Sequence, residues 1–133
     1  MAKWSFRCFV SKKGVDEVRV SYDAESKAVQ GKFRSRFRAL SALPWSDWVS
    51  GGVLAKDLSG PCAGLTEIRF LADNVQQRPL GFRSGSGEFT VLVWAHEKGG
   101  EWVEKNACKK ALERKAIAEK DRKRTNALWL ALD

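Results

Sequence analysis

The sequence predicts a single domain of mixed helix and sheet in the order strand, helices, sheet, helix, and three segments carry that reading. Trp4 to Val10 mixes aromatic and β-branched residues in near alternation, the pattern of a strand. Val29, Phe33, Phe37, Leu40 and Leu43 fall on one stripe of a 3.6-residue period, which predicts a helix over residues 24–43. Phe89 to Ala95 is apolar on both alternating faces, the mark of a central strand covered on both sides. At 133 residues the chain is long enough for one such domain with a core and too short for two ordinary ones.

The opening strand, residues 3–10, is broken by Ser11-Lys12-Lys13-Gly14. Val15, Val18 and Tyr22 then recur at i, i+3 and i+7 behind Asp16 and Glu17, which suits a short helix; the valines equally suit the return strand of a hairpin, and helix is the reading taken. Lys27, Lys32, Arg34, Arg36 and Arg38 lie off the apolar stripe of the next helix. They read as the solvated side of an amphipathic helix in preference to a nucleic-acid surface. Pro44 ends that helix, and Trp45 and Trp48 sit in a loop-like segment, as anchors on the core, running to Gly51-Gly52.

Residues 65–71 form the next strand and 77–83 another, across a turn containing Asp73 and Asn74. Pro79 cannot donate to a ladder, so its strand is expected at an edge, bulged or irregular. Ser84 to Gly87 is a flexible connection before the doubly apolar strand. Residues 105–124 favour helix, with Ala107, Cys108, Ala111, Leu112 and Ala118 on one arc. The final segment, Ala127 to Leu132, carries Trp129 and either docks on the core or is available to a partner.

With 24 Lys and Arg against 16 Asp and Glu, the formal net charge of +8 favours an anionic partner: nucleic acid, acidic protein or membrane surface. No apolar run approaches the roughly 20 residues of a membrane span, and the N-terminus lacks a secretory signal pattern, so a soluble, cytoplasmic protein is expected. Cys8, Cys62 and Cys108 are odd in number and widely spaced, and the only histidine is His96. That arithmetic argues against a disulfide scaffold and against a zinc site, and makes Cys8 and Cys108 small buried hydrophobes. Walker, dinucleotide and nucleophile-elbow motifs are missing, and clustered acidic residues for a metal-dependent nuclease are missing too.

The chemistry-bearing pair is Glu67 and Arg69. On the strand over 65–71 they alternate with apolar residues, so both side chains emerge on one face of the sheet. A carboxylate beside a guanidinium suits chemistry on phosphate. It is equally the pattern of a solvated sheet face.

Trp4-Ser5-Phe6, the segment Gly14 to Leu43, Leu65-Thr66-Glu67-Ile68-Arg69, Gln77-Arg78 and Glu97-Lys98-Gly99-Gly100 follow one another in an order that covers nearly the whole chain. In this order the chain resembles the RelE/ParE superfamily of toxins, specifically its phage-associated HigB-like branch. The resemblance implies an α+β domain over residues 1–133, a RelE-like fold with N-terminal helices and a C-terminal helix packed on a twisted, mainly antiparallel sheet of about four strands. It implies the toxin of a type II toxin-antitoxin pair, with a cognate antitoxin, a helix-turn-helix protein, as partner. It also implies metal-independent, cofactor-free cleavage of messenger RNA on the ribosome through the ribonucleotide's own 2′-hydroxyl, no membrane being involved.

Under that resemblance Glu67 takes the position of a general base, Arg69 that of a basic residue on the same strand, Arg78 that of the phosphate-contacting arginine, and Lys98 that of a basic residue after the central strand. Such a cleavage needs a base for the hydroxyl proton, cations for the phosphorane and an acid for the leaving oxygen. His96 serves as that acid if strand parity turns it toward Arg78, but its place on the face of Leu92 and Trp94 favours a structural role. Trp102 or Trp129 replaces the base-stacking tyrosine of some relatives. Lys56, Arg83, Arg122 and Arg124 are the further RNA-contacting candidates. Glu67 also has a plainer reading, an ion pair with Arg69 or Arg78 that stabilises the sheet. The alternatives to a nuclease are a ParE-like gyrase-binding toxin and an inactive, phage-derived module that binds RNA or protein.

Overall fold

In the computed structural model, which describes residues 4–132, the chain is α+β, with four α-helices and one mixed sheet of eight strands. The strands are β1 (Ser5–Phe9), β2 (Ala55–Asp57), β3 (Thr66–Ile68), β4 (Phe70–Ala72), β5 (Val75–Gly85), β6 (Glu88–Lys98), β7 (Glu101–Trp102) and β8 (Thr125–Ala127). The helices are α1 (Glu17–Ala24), α2 (Lys27–Ser41), α3 (Trp45–Val49) and α4 (Ala107–Lys120). The count of about four strands is therefore corrected. Four of the extra strands hold only two or three residues each (β2, β4, β7 and β8), too short to show an alternating pattern in sequence.

The strand order is β2-β3-β5-β6-β1-β8, with β4 on β5 beside β3 and β7 on β6. Only β1 and β6 run parallel; every other pairing is antiparallel. Two apolar clusters flank the sheet. One joins α1 and α2 to the inner strands through Val18, Tyr22, Phe33, Phe37, Ile68, Phe70 and Trp94. The other joins Ala107 and Ala111 of α4 to Leu65, Leu80, Val93 and Ala95. Small residues on α4 let its backbone lie close to the sheet.

The starts of α1 and α2 are capped by side chains. Asp16 accepts from the backbone N–H of Arg19 and Ser26 from that of Val29, filling two of the orphan donors of a helix N-terminus. The segment holding Trp45 and Trp48 is a short helix, not a loop. Trp48 is fully buried, its Nε1 donating to the carbonyls of Leu40 and Leu43. Val15 is exposed and takes no part in the α1 stripe. Lys3, the first residue of the expected opening strand, lies outside the described residues.

β5 is not an edge strand: it runs between β6 and the β3/β4 side. Pro79 is accommodated because the ladder breaks there. β3 ends at Ile68 and β4 begins at Phe70, while the register carries through the gap, setting Ile68 across from Pro79 and Arg69 across from Arg78. A second irregularity follows at Leu80/Gly81, where Leu92 is the extra residue of a bulge in β6. The freed carbonyl of Leu92 accepts from Arg114 Nη1 at 2.9 Å. A Cβ on Gly81 would collide with the carbonyl oxygen of Thr90 and the ring of Phe89, so the close approach of β5 to β6 requires glycine there.

The C-terminal segment docks. Leu128 N–H donates to the Phe6 carbonyl, Trp129 packs against Tyr22 and Phe33, and Arg38 holds the carbonyl of Leu132 at 2.7 Å.

The reading of Cys108 as an unpaired thiol is corrected. Cys62, in a short 3-10 turn over Gly60–Cys62, and Cys108, in the first turn of α4, form a disulfide with Cα atoms 5.7 Å apart. Cys8 stays free and fully buried, and burial pushes its thiol well above the ordinary range. Two expected outcomes follow. Reduction with dithiothreitol, or Cys62→Ser with Cys108→Ser, lowers the urea midpoint by an amount equivalent to about 4 kcal/mol in the chain-entropy account of a 46-residue separation; an unchanged midpoint refutes a stabilising bond. Gly81→Ala destabilises far more than Gly31→Ala, whose added Cβ meets nothing within 4 Å, by the same measurement.

Candidate anion-binding site

The break between β3 and β4 positions the central residues. The pairing with β5 is interrupted at Arg69, whose backbone N–H donates instead to the Leu54 carbonyl at 2.9 Å, and its side chain shares the α4-facing side with Leu65 and Glu67. Glu67 is only 3% exposed. Its Oε1 lies 3.2 Å from Arg69 Nε and 3.8 Å from Arg78 Nε. Burial raises the Glu67 carboxyl above the usual range, against the opposing pull of Arg69 and Arg78, and the nearby Glu97 pushes it the same way as burial.

Each arginine is held by further acceptors. Arg78 donates from Nε to Glu97 Oε1 at 3.2 Å, from Nη1 to the Gln77 carbonyl and from Nη2 to Gln76 Oε1, both at 3.0 Å. Arg69 donates from Nη1 to the carbonyl of Gly52 at 2.6 Å. That carbonyl is presented by a left-handed turn, with φ of 72° at Gly51 and 66° at Gly52, where glycine is favoured. Arg69 Nε, despite its nearness to Glu67, makes no hydrogen bond, so the pair is an ion contact without donor geometry.

Around this cluster opens a cleft of about 280 Å³ lined by Arg36, Gly52, Arg69, Phe70, Gln76 and Arg78, with Val53 and Leu71 at its sides. β4 pairs with β5 alone; Phe70 and Ala72 are buried on its α2 side, Leu71 is exposed on the other, and α2 contributes Arg36 to the opening. Three guanidinium groups converge on one opening. Their fork geometry suits the tetrahedral oxygens of a phosphate. No group of three or more His, Cys, Asp or Glu arranged to hold a metal occurs among the described residues. No helix among them is long and apolar enough to cross a membrane.

The structure thus brings together Glu67, Arg69 and Arg78, and Lys56 joins them as the exposed register partner of Glu67 across β2–β3. The other expected site residues lie elsewhere. His96 is placed with Trp94, stacked at 18° and 6.5 Å between centroids, on the α2 side of the sheet, away from Arg78. Its backbone N–H and Nδ1 engage both oxygens of Glu104, at 2.7 and 2.6 Å, so it ties the loop before α4 to β6. The assignment of His96 as acid beside Arg78 is corrected on strand parity. Lys98, two residues on and exposed at the end of β6, points with His96 and is likewise outside the cluster.

Arg83 lies over the rings of Trp45 and Trp4 at 4.8 and 5.6 Å. Arg122 forks onto Glu88, which lowers that carboxyl's pKa through the paired hydrogen bonds. Arg124 donates to the Val10 carbonyl and covers the ring of Phe9. These three bind the protein to itself. Trp129 is half-buried against the α1/α2 cluster and Trp102 half-buried against the α4 cluster, so neither is a free stacking platform. Sequence reasoning missed Arg36 and Glu97. Arg36 sat among five off-stripe basic residues with nothing to single it out; Glu97 lies opposite Gln76 in the β5–β6 register, a placement only the pairing reveals.

Glu67 sets a pH signature. A carboxyl whose folded-state pKa is raised contributes fully below the usual glutamate pKa, and the contribution is lost as pH rises through the raised value. The stability difference between the protein and Glu67→Gln is therefore expected to shift in favour of Gln from about pH 4 toward pH 7, by at most about 1.4 kcal/mol per unit. Urea unfolding of both proteins across that range checks it, and parallel curves contradict it.

No family model, curated protein or solved structure matches the chain, so the cleft is interpreted from its own residues.

Proposed function

We propose that the chain is a HigB-like member of the RelE/ParE superfamily, a cytoplasmic toxin that cleaves messenger RNA on the ribosome without a metal and is held in check by a helix-turn-helix antitoxin. In this reading the fold is RelE-like, its sheet lengthened by short strands. What supports it is one observation: Glu67, Arg69 and Arg78 meet at an interrupted strand, beside an open cleft lined by arginine.

The proposed chemistry uses charge first. A phosphodiester in the cleft faces Arg69 and Arg78, which neutralise the negative charge that grows as the 2′-oxygen attacks phosphorus. Arg69, 26% exposed at its side chain, swings from Glu67 to the phosphate. Glu67, its carboxyl already raised by burial, then takes the 2′-hydroxyl proton. The P–O5′ bond breaks, the leaving 5′-oxygen takes a proton from water, and a 2′,3′-cyclic phosphate remains on the upstream fragment.

Arg69→Ala tests this. Induced growth arrest and new RNA ends on translating ribosomes are expected to fall by about 10²-fold or more, with a cooperative thermal unfolding transition retained at a lower midpoint. Full activity in this variant overturns the assignment. Arg78→Ala is the poorer probe, since that side chain is nearly buried and its loss also strips Glu97, Gln76 and the Gln77 carbonyl of their donor; Arg78→Lys keeps the charge and separates folding from activity.

A second reading draws on the burial of Glu67 itself. A carboxylate this enclosed also suits a purely structural anchor, and the protein then binds its target without cutting RNA, as a gyrase-directed toxin or an inactive module. Inhibited supercoiling, or RNA binding, without new RNA ends identifies that case.

A further inference from the structure

Arg36 stands apart from the other basic residues of α2. Its Nε is buried and has no hydrogen-bond partner, and it forms no ion pair among the described residues. A guanidinium nitrogen removed from water without an acceptor is costly to hold, and such groups in folded proteins call for a specific explanation. Arg34, two residues earlier, is exposed and has no such constraint. Burial also weakens Arg36's hold on its proton, the direction expected of a cation lacking a nearby carboxylate.

The side chain lines the same cleft as Arg69 and Arg78, but from the other layer of the molecule. Arg69 and Arg78 come from the sheet, where their guanidinium groups are tied to Gly52, Gln76, Gln77 and Glu97. Arg36 comes from the helix. An anion entering the cleft therefore meets two cations borne by the sheet, Arg78 held in place and Arg69 able to turn from Glu67, and an unsatisfied one borne by the helix. One phosphate is served by the sheet pair. A second cationic wall across an open cleft fits a ligand carrying its negative charge at more than one point, as a single-stranded polynucleotide does.

We propose that Arg36 is an additional RNA-binding residue, contacting a phosphate next to the one held by Arg69 and Arg78, so that the cleft grips two successive phosphates of one strand. This rests on the phosphate-site reading above and adds to it a residue on α2 and a second phosphate of the same strand. The helix face that reads in sequence as a solvated stripe thereby has one member with a task.

The probe is a single-stranded oligoribonucleotide with 2′-O-methyl sugars, which cannot be cleaved through its 2′-oxygens, titrated against the full chain at several salt concentrations. Each phosphate contact contributes about 0.7 to the slope of log affinity against log salt for a single strand. Arg36→Gln is expected to reduce the magnitude of that slope by about 0.7 and to weaken binding about tenfold at low salt. Arg34→Gln removes the same charge from the same helix and is expected to change the slope much less. Arg36→Lys restores charge without the planar fork and should recover the slope more than the affinity.

Equal slopes for Arg36→Gln and the unaltered protein overturn the proposal, as do equal losses for Arg36→Gln and Arg34→Gln. Arg69→Gln, measured in parallel, separates the two levels. Weakening by Arg69→Gln alone leaves the phosphate site standing and removes Arg36 from it; no effect of either variant removes the site. Thermal unfolding of each variant distinguishes lost binding from lost fold, and Arg36→Lys supplies a second, milder substitution should Gln perturb α2.

Discussion

Glu67 is nearly sealed from solvent, and a carboxylate in that position is tolerable only with positive charge close by. Arg69 and Arg78 supply it from opposite sides of a break in the sheet. The break in turn coincides with Pro79, the residue that cannot sustain a regular ladder. Around this ion cluster the local geometry closes: the left-handed Gly51-Gly52 turn delivers a carbonyl to Arg69, and Gln76 and Glu97 complete the shell of Arg78. Remove the carboxylate and two guanidinium groups face one another across the register with less to separate them. The interrupted strand is thus an electrostatic arrangement as much as a packing one.

Much of this was legible in residues whose signal is periodic. The stripe Val29, Phe33, Phe37, Leu40 is buried as its spacing requires, and Phe89 to Ala95 is the covered central strand. Glu67 and Arg69 do share a face, because alternation survives even where the ladder does not. Other features have no one-dimensional signature. β2, β4, β7 and β8 are held by partners, not by their own patterns, and the Trp45–Val49 helix is too short to display a period. Arg36 and Arg34 are the same residue type, both off the apolar stripe of one helix, and only packing makes Arg36 half-buried while Arg34 stays exposed.

His96 and the cysteines show two different limits. A single bulged residue, Leu92, turns to the α4 side while Trp94 and His96 stay with α2, so parity counted across the bulge from Leu92 misleads. The count of three cysteines, taken as an argument against pairing, ignores that an odd number leaves room for one bond and one buried thiol. The disulfide joins the turn leading into β3 to the start of α4, two places remote in sequence that the fold makes adjacent.

The parallel pairing of β1 with β6 carries a consequence for how the molecule comes into being. β1 is inserted between β6 and β8, so both of its neighbours are made late in synthesis, after Gly87 and after Arg124. As the chain emerges from N-terminus to C-terminus, Phe6 and Cys8 have no strand to join until most of the domain exists. Contacts of such long sequence separation are closed late and slowly. Until β6 and then β8 have been made, a nascent chain carries its first strand unpaired and its aromatic core open.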